Sequence, residues 1–135
     1  MPGAIGILCS SADARKGGDS RAFDRPFQAL PPPLSKHSLY FEGADLSAPL
    51  ASPILYPEIM KQFPPTLLLT GIRAGEVSAA ISTHRALVKE GVETELHLWD
   101  GLGHAFFYDP GFPESSEAFE TMTAFFAKHL SLSTQ

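Results

Sequence analysis

From Thr66 onward the chain alternates between two hydrophobic periods, and that alternation restricts the fold more than any other feature. Thr66-Leu67-Leu68-Leu69-Thr70-Gly71 is a continuous apolar run of strand length, entered from Pro64-Pro65 and left through glycine. Such a run fits a strand buried on both faces. Residues 76–90 switch to the helical period: Val77, Ile81, His84 and Val88 recur at that spacing, and Ala80 and Leu87 widen the stripe. Gly91 follows as a C-terminal cap. Residues 93–99 return to the strand period, with Leu96 and Leu98 facing one way and Glu95 and His97 the other. Alternation of this kind places a strand near a sheet edge. Further on, Pro113 suits a helix start, Glu114 and Glu117 suit its dipole, and Ala118, Phe119, Met122, Phe125, Phe126 and Leu130 form another stripe. Strand, helix, strand, helix predicts a βαβα unit with parallel strands and right-handed crossovers.

An earlier apolar run, Ala4-Ile5-Gly6-Ile7-Leu8-Cys9, predicts a third strand, again buried on both faces. The connection between it and the βαβα unit is less regular. Short helices are expected near 23–30, 35–41 and 57–62, separated by turns at Gly43 and at 49–53, with Pro31-Pro32-Pro33 as stiff punctuation. A long connection of this kind carries a lid or a pocket wall more often than sheet. The expectation is a single α/β domain over residues 1–135, with a cap-like connection at 19–62 and the βαβα unit at 63–135.

Composition excludes several functions. With 44% hydrophobic and 19% charged residues the chain is neither a disordered segment nor a membrane protein. No apolar run approaches the roughly 20 residues that cross a bilayer, and Met1-Pro2-Gly3-Ala4-Ile5 does not open like a secretory signal. Cys9 is the one cysteine, which leaves no internal disulfide framework and suits a reducing, cytoplasmic compartment. A net charge of −5 without any cluster of Lys or Arg argues against nucleic acid. The 5 histidines are scattered, show no metal-ligand spacing with Cys9, and imply neither a metal nor a cofactor. His84 is read as a packed core histidine on its helical stripe, while His97, His37 and His129 are assigned no role.

Three stretches carry a resemblance. The run from Phe63 to Arg73, the helical Ser82-Thr83-His84-Arg85-Ala86-Leu87-Val88-Lys89-Glu90-Gly91-Val92, and Glu95-Leu96-His97-Leu98-Trp99-Asp100-Gly101-Leu102-Gly103-His104 follow one another in this order. Together they resemble the carboxyl-terminal half of hormone-sensitive-lipase-like esterases of the α/β-hydrolase superfamily. Ala48-Pro49-Leu50-Ala51-Ser52-Pro53 resembles that family's loop before its seventh strand, although relatives usually carry Asp where Ala48 stands. The resemblance covers nearly the whole chain and implies the carboxyl-terminal part of an α/β-hydrolase fold: about three parallel strands, flanking helices and a partial cap connection. It also implies hydrolysis of small carboxylic esters through a Ser–His–acid triad, with no cofactor.

His104 matches the family's catalytic base. A glycine-containing turn at the end of a strand can present an imidazole at the rim of the sheet. The other triad members do not carry over. The chain holds no Gly-x-Ser-x-Gly, and Ser10, Ser11 and Ser20 lack the flanking glycines of a nucleophile elbow. The family's acid directly follows the Arg after the seventh strand, where this chain has Ala74, a methyl that accepts no hydrogen bond. Glu76 is the nearest carboxylate and has two readings: a substitute acid, or an acidic first-turn residue favourable to the helix dipole. Phe106 and Phe107 either line an acyl pocket or pack under the last helix. Asp100 reads as a turn-former and Cys9 as an inert residue of a buried strand.

Two further functional classes stay open beside the esterase: a non-catalytic remnant serving as an assembly module, and one chain of a split hydrolase completed by an amino-terminal half. Either way the edge beside Ile5, Ile7 and Leu8 is expected to pair with another copy or a complementing half. A second candidate surface joins residues 93–99 to Phe119, Met122 and Phe126.

Overall fold

Thr66 to Gly71 forms the middle of a three-stranded parallel sheet, and every one of its residues is buried. The computed structural model describes residues 2–15, 18–20 and 39–130. Strand β1 (Ile5–Leu8), helix α1 (Pro57–Met60), strand β2 (Thr66–Gly71), helix α2 (Val77–Lys89), strand β3 (Thr94–Trp99) and helix α3 (Pro113–His129) follow in order. Short 3₁₀ turns add Leu39–Phe41, Pro53–Leu55 and Phe106–Tyr108. The sheet order is β1-β2-β3, with Ile5 opposite Thr66 and Thr66 opposite Thr94. Parallel neighbours joined through helices are the expected βαβα arrangement.

The period of two along β2 divides the core. Leu67 and Leu69 face one side, where they meet Cys9, Phe106, Phe107, Ala118, Met122 and Phe125 under α3. Leu68 faces the other, where Ala12, Met60, Ala80 and Leu87 close over it from α1 and α2. Helices therefore cover both faces, which is why β2 reads as an unbroken apolar run. Truncating Leu68 to alanine here costs about 2–5 kcal/mol.

Several expectations change in detail. β1 is half-buried rather than buried on both faces, because among the described residues it pairs only with β2 and its other side is an edge. On α2 the buried residues are Ala79, Ala80, Thr83 and Leu87, while Ile81 and Val88 of the predicted stripe are exposed. Small side chains let this helix lie close to the sheet, and Thr83 is used as a connector. Its hydroxyl donates to the Ala79 carbonyl at 2.9 Å and accepts the Ala12 amide at 3.0 Å. That rotation leaves His84 half-buried on the flank instead of in the core. On α3 the buried set is Ser115, Ala118, Met122 and Phe125, so Phe119 is exposed and Met122 belongs to the core rather than to a docking surface. The His129 side chain is 8% exposed, its ring 4.5 Å from that of Phe125 and its Nε2 3.7 Å from Glu93 Oε1.

The expected helix at 23–30 and most of that at 35–41 lie outside the described residues. The third, at 57–62, is present as Pro57–Met60. Gly91 has φ +79° and its amide returns to the Val88 carbonyl at 3.1 Å, closing α2 as a left-handed cap does.

Candidate active site

The carboxyl ends of the three strands lie side by side and each delivers one group to the same place. β3 ends at Trp99, and Asp100-Gly101 turns the chain, Gly101 at φ +74°. The returning segment is clamped against the end of β2: Ile72 N–H donates to the Trp99 carbonyl at 2.9 Å and Arg73 N–H to the Leu102 carbonyl at 3.0 Å. His104 follows at the rim with its side chain 63% exposed. Beneath it, Phe106 and Phe107 are each only 5% exposed and belong to the core under α3. Phe106 stacks on Trp99 with ring centroids 5.4 Å apart, which ties the loop after His104 back to β3. Phe107 also lines a shallow hollow with Tyr108, Pro110, Ser115, Ser116 and Phe119.

β2 leads through Ala74 to Glu76, the residue preceding α2. Glu76 Oε1 lies 2.9 Å from His104 Nδ1, and its side chain is 12% exposed against the open imidazole. The Thr70 hydroxyl donates to the same Oε1 at 3.0 Å, so the carboxylate is held from the strand as well. A carboxylate on Nδ1 fixes the tautomer and leaves Nε2 free to accept a proton. Ala74, at the position where relatives carry the acid, is 1% exposed and packs as a methyl.

β1 contributes Cys9, which directly follows the strand in a left-handed conformation at φ +49°. The Ala105 N–H donates to its sulfur at 3.1 Å, and Ala105 is itself left-handed at φ +56°. Burial pushes the Cys9 thiol above its ordinary pKa, and the Glu76 charge acts in the same direction against the Ala105 and Thr70 hydrogen bonds. Sequence spacing gave no hint of this neighbourhood. Cys9, Glu76 and His104 each offer a ligand atom within 4.8 Å of the others, brought together from three separate strand ends.

One family model, described as the alpha/beta hydrolase fold, matches the chain over residues 4–108. The chain belongs to this α/β-hydrolase family. No curated protein matches it. Among solved structures it is similar to a crystallised esterase, 33% identical with a TM-score of 0.76, over 96% of this chain and 41% of that one. It is also similar to an esterase of the bacterial hormone-sensitive lipase family, 25% identical with a TM-score of 0.82 over 96% and 44%. EstE5, in crystals soaked with p-nitrophenyl butyrate, is 25% identical with a TM-score of 0.83, over 97% and 45%. The chain thus spans less than half the length of these hydrolases, which fits the carboxyl-terminal half that the motifs resemble.

Proposed function

We propose that this α/β-hydrolase chain is the base-bearing part of a carboxylic-ester hydrolase of the serine type, with Glu76 as the acid of the triad. The observation that carries the reading is the 2.9 Å contact between His104 Nδ1 and Glu76 Oε1. The nucleophilic serine and the oxyanion hole come from an amino-terminal part, since no Gly-x-Ser-x-Gly occurs in these residues. His104 Nε2 takes the serine proton as the hydroxyl attacks the ester carbonyl, and returns it to the leaving alcohol. Glu76 holds the ring and stabilises the imidazolium. Glutamate reaches one bond further than aspartate, which offsets its start two residues later in the chain. Phe106 and Phe107 serve by packing the loop under His104. The reading is tested by completing the chain with the nucleophile-bearing part of a relative and following hydrolysis of p-nitrophenyl butyrate. Turnover lost on His104→Ala supports it, and a folded complex with no turnover opposes it.

A second reading is favoured by the buried methyl of Ala74 and by the half-buried edge at β1. In it the chain has given up chemistry and serves as an assembly module that pairs along β1. The same complementation separates the two, because an assembly module binds the added part without hydrolysing the ester.

A further inference from the structure

Three donors of different softness meet at the strand ends, close enough to converge on a single ion. A thiol sulfur, a carboxylate oxygen and an imidazole nitrogen, from Cys9, Glu76 and His104, all lie within 4.8 Å of one another. Zinc bonds of about 2.0–2.3 Å place the ligands of one tetrahedral ion roughly 3.5 Å apart. His104 Nδ1 and Glu76 Oε1 are already 2.9 Å apart, so the contraction brings the pair towards the Cys9 sulfur, and His104 is free to take it up as an exposed side chain on a loop that contains Gly101 and Gly103. Cys9 and Glu76 are held more firmly, one half of the cluster presented by the sheet and the other by the start of α2.

Hydrogen bonds already orient two of the donors. Ala105 N–H points at the sulfur at 3.1 Å, and the Thr70 hydroxyl donates to the Glu76 carboxylate at 3.0 Å. Hydrogen bonds of this sort orient metal ligands and strengthen binding. We infer that Cys9, Glu76 and His104 form a binding site for one thiophilic divalent cation of the zinc class. The sulfur and imidazole select Zn²⁺ and its spectroscopic substitute Co²⁺ over Mg²⁺ and Ca²⁺, which require mostly oxygen ligands. Three protein ligands leave a fourth position, open to solvent because His104 stands at the surface. On binding, the Cys9 thiol proton passes to solvent and the thiolate sulfur takes up the metal bond. Where the proposed hydrolytic role holds, the ion occupies its base and its acid together and inhibits it. The binding itself needs no such role.

The test uses the whole chain, reduced and without a histidine tag, titrated with Co²⁺ and then displaced by Zn²⁺. One equivalent is expected to bind with the intense near-ultraviolet absorption of a thiolate–cobalt bond. Cys9→Ser should abolish that absorption, and His104→Ala and Glu76→Gln should each weaken Co²⁺ binding at least about 10-fold. Circular dichroism checks the folding of each variant, and His104→Ala, in an exposed loop, tests the site if Cys9→Ser fails to fold. Binding without the thiolate band, binding unchanged by His104→Ala, or no binding at one equivalent would overturn the site. None of these results bears on hydrolysis by a completed enzyme, so the two readings fail separately.

Discussion

The backbone carbonyl of Leu102 rests directly on the α-carbon of Gly71, so that a side-chain carbon at position 71 would occupy the carbonyl's place. This contact, together with the Arg73 N–H to Leu102 carbonyl bond, sets the height of the His104 loop above the sheet. Gly71 is the last residue of β2. Its lack of a Cβ matters here for close approach rather than for an unusual φ. Gly71→Ala should therefore displace the loop and cost about 1–3 kcal/mol, the usual range for overpacking. Chemical denaturation measures the loss, and a variant as stable as the parent would show that the loop yields freely.

The isolated chain should hydrolyse p-nitrophenyl butyrate no faster than its His104→Ala variant. A base and an acid without a nucleophile provide no covalent route, and triad members act as a unit. Turnover that disappears on Cys9→Ser would contradict this and identify Cys9, left-handed at the end of its strand, as the nucleophile.

Self-association is expected through β1. The Ile5 and Cys9 amides point to β2, donating to Pro65 and Leu69 carbonyls at 3.0 and 2.8 Å, which turns those of Gly6 and Leu8 outward. An open row of backbone groups is a template for another strand. Sedimentation equilibrium at micromolar concentration should show dimers or larger species, and a strict monomer would mean that this edge is covered.

Much of this fold was legible in the sequence because β2 is covered on both faces and α3 starts at a proline. An unbroken apolar run and a helix start are local signals. The face that α2 buries was not, since Ala79, Ala80 and Thr83 pack by being small while the larger Ile81 and Val88 lie outward. Hydrophobic periodicity weights bulk and so centred the stripe on Ile81 and Val88, although its Ala80 and Leu87 are buried. At the site, His104 stood out through its glycine turn. Glu76 was one of two readings because reach between side chains 28 residues apart is set by the fold. Cys9 was read as inert for the same reason.

Acid should weaken the structure through Asp13. Hydrogen bonds from the Arg15 guanidinium, at 2.9 and 2.8 Å, hold the Asp13 carboxyl below its ordinary pKa. A lowered carboxyl pKa contributes stability above the unfolded value near about 4, and that contribution is lost as the pH falls through the folded value. Arg15 is exposed, so the pair is worth no more than about 1 kcal/mol. Asp13→Asn should lower the melting temperature at neutral pH and differ little from the parent near pH 3. A gap that widens in acid would reverse the sign.

The central claim is that Glu76 takes the place of the acid missing at Ala74, and the kcat of the completed enzyme tests it most directly. Replacing the triad acid costs on the order of 10⁴-fold where it has been measured in a serine protease. Glu76→Gln should cause a loss of that order with KM little changed, and adding Ala74→Asp to that variant should restore part of it. A Glu76→Gln enzyme with undiminished kcat would contradict the claim.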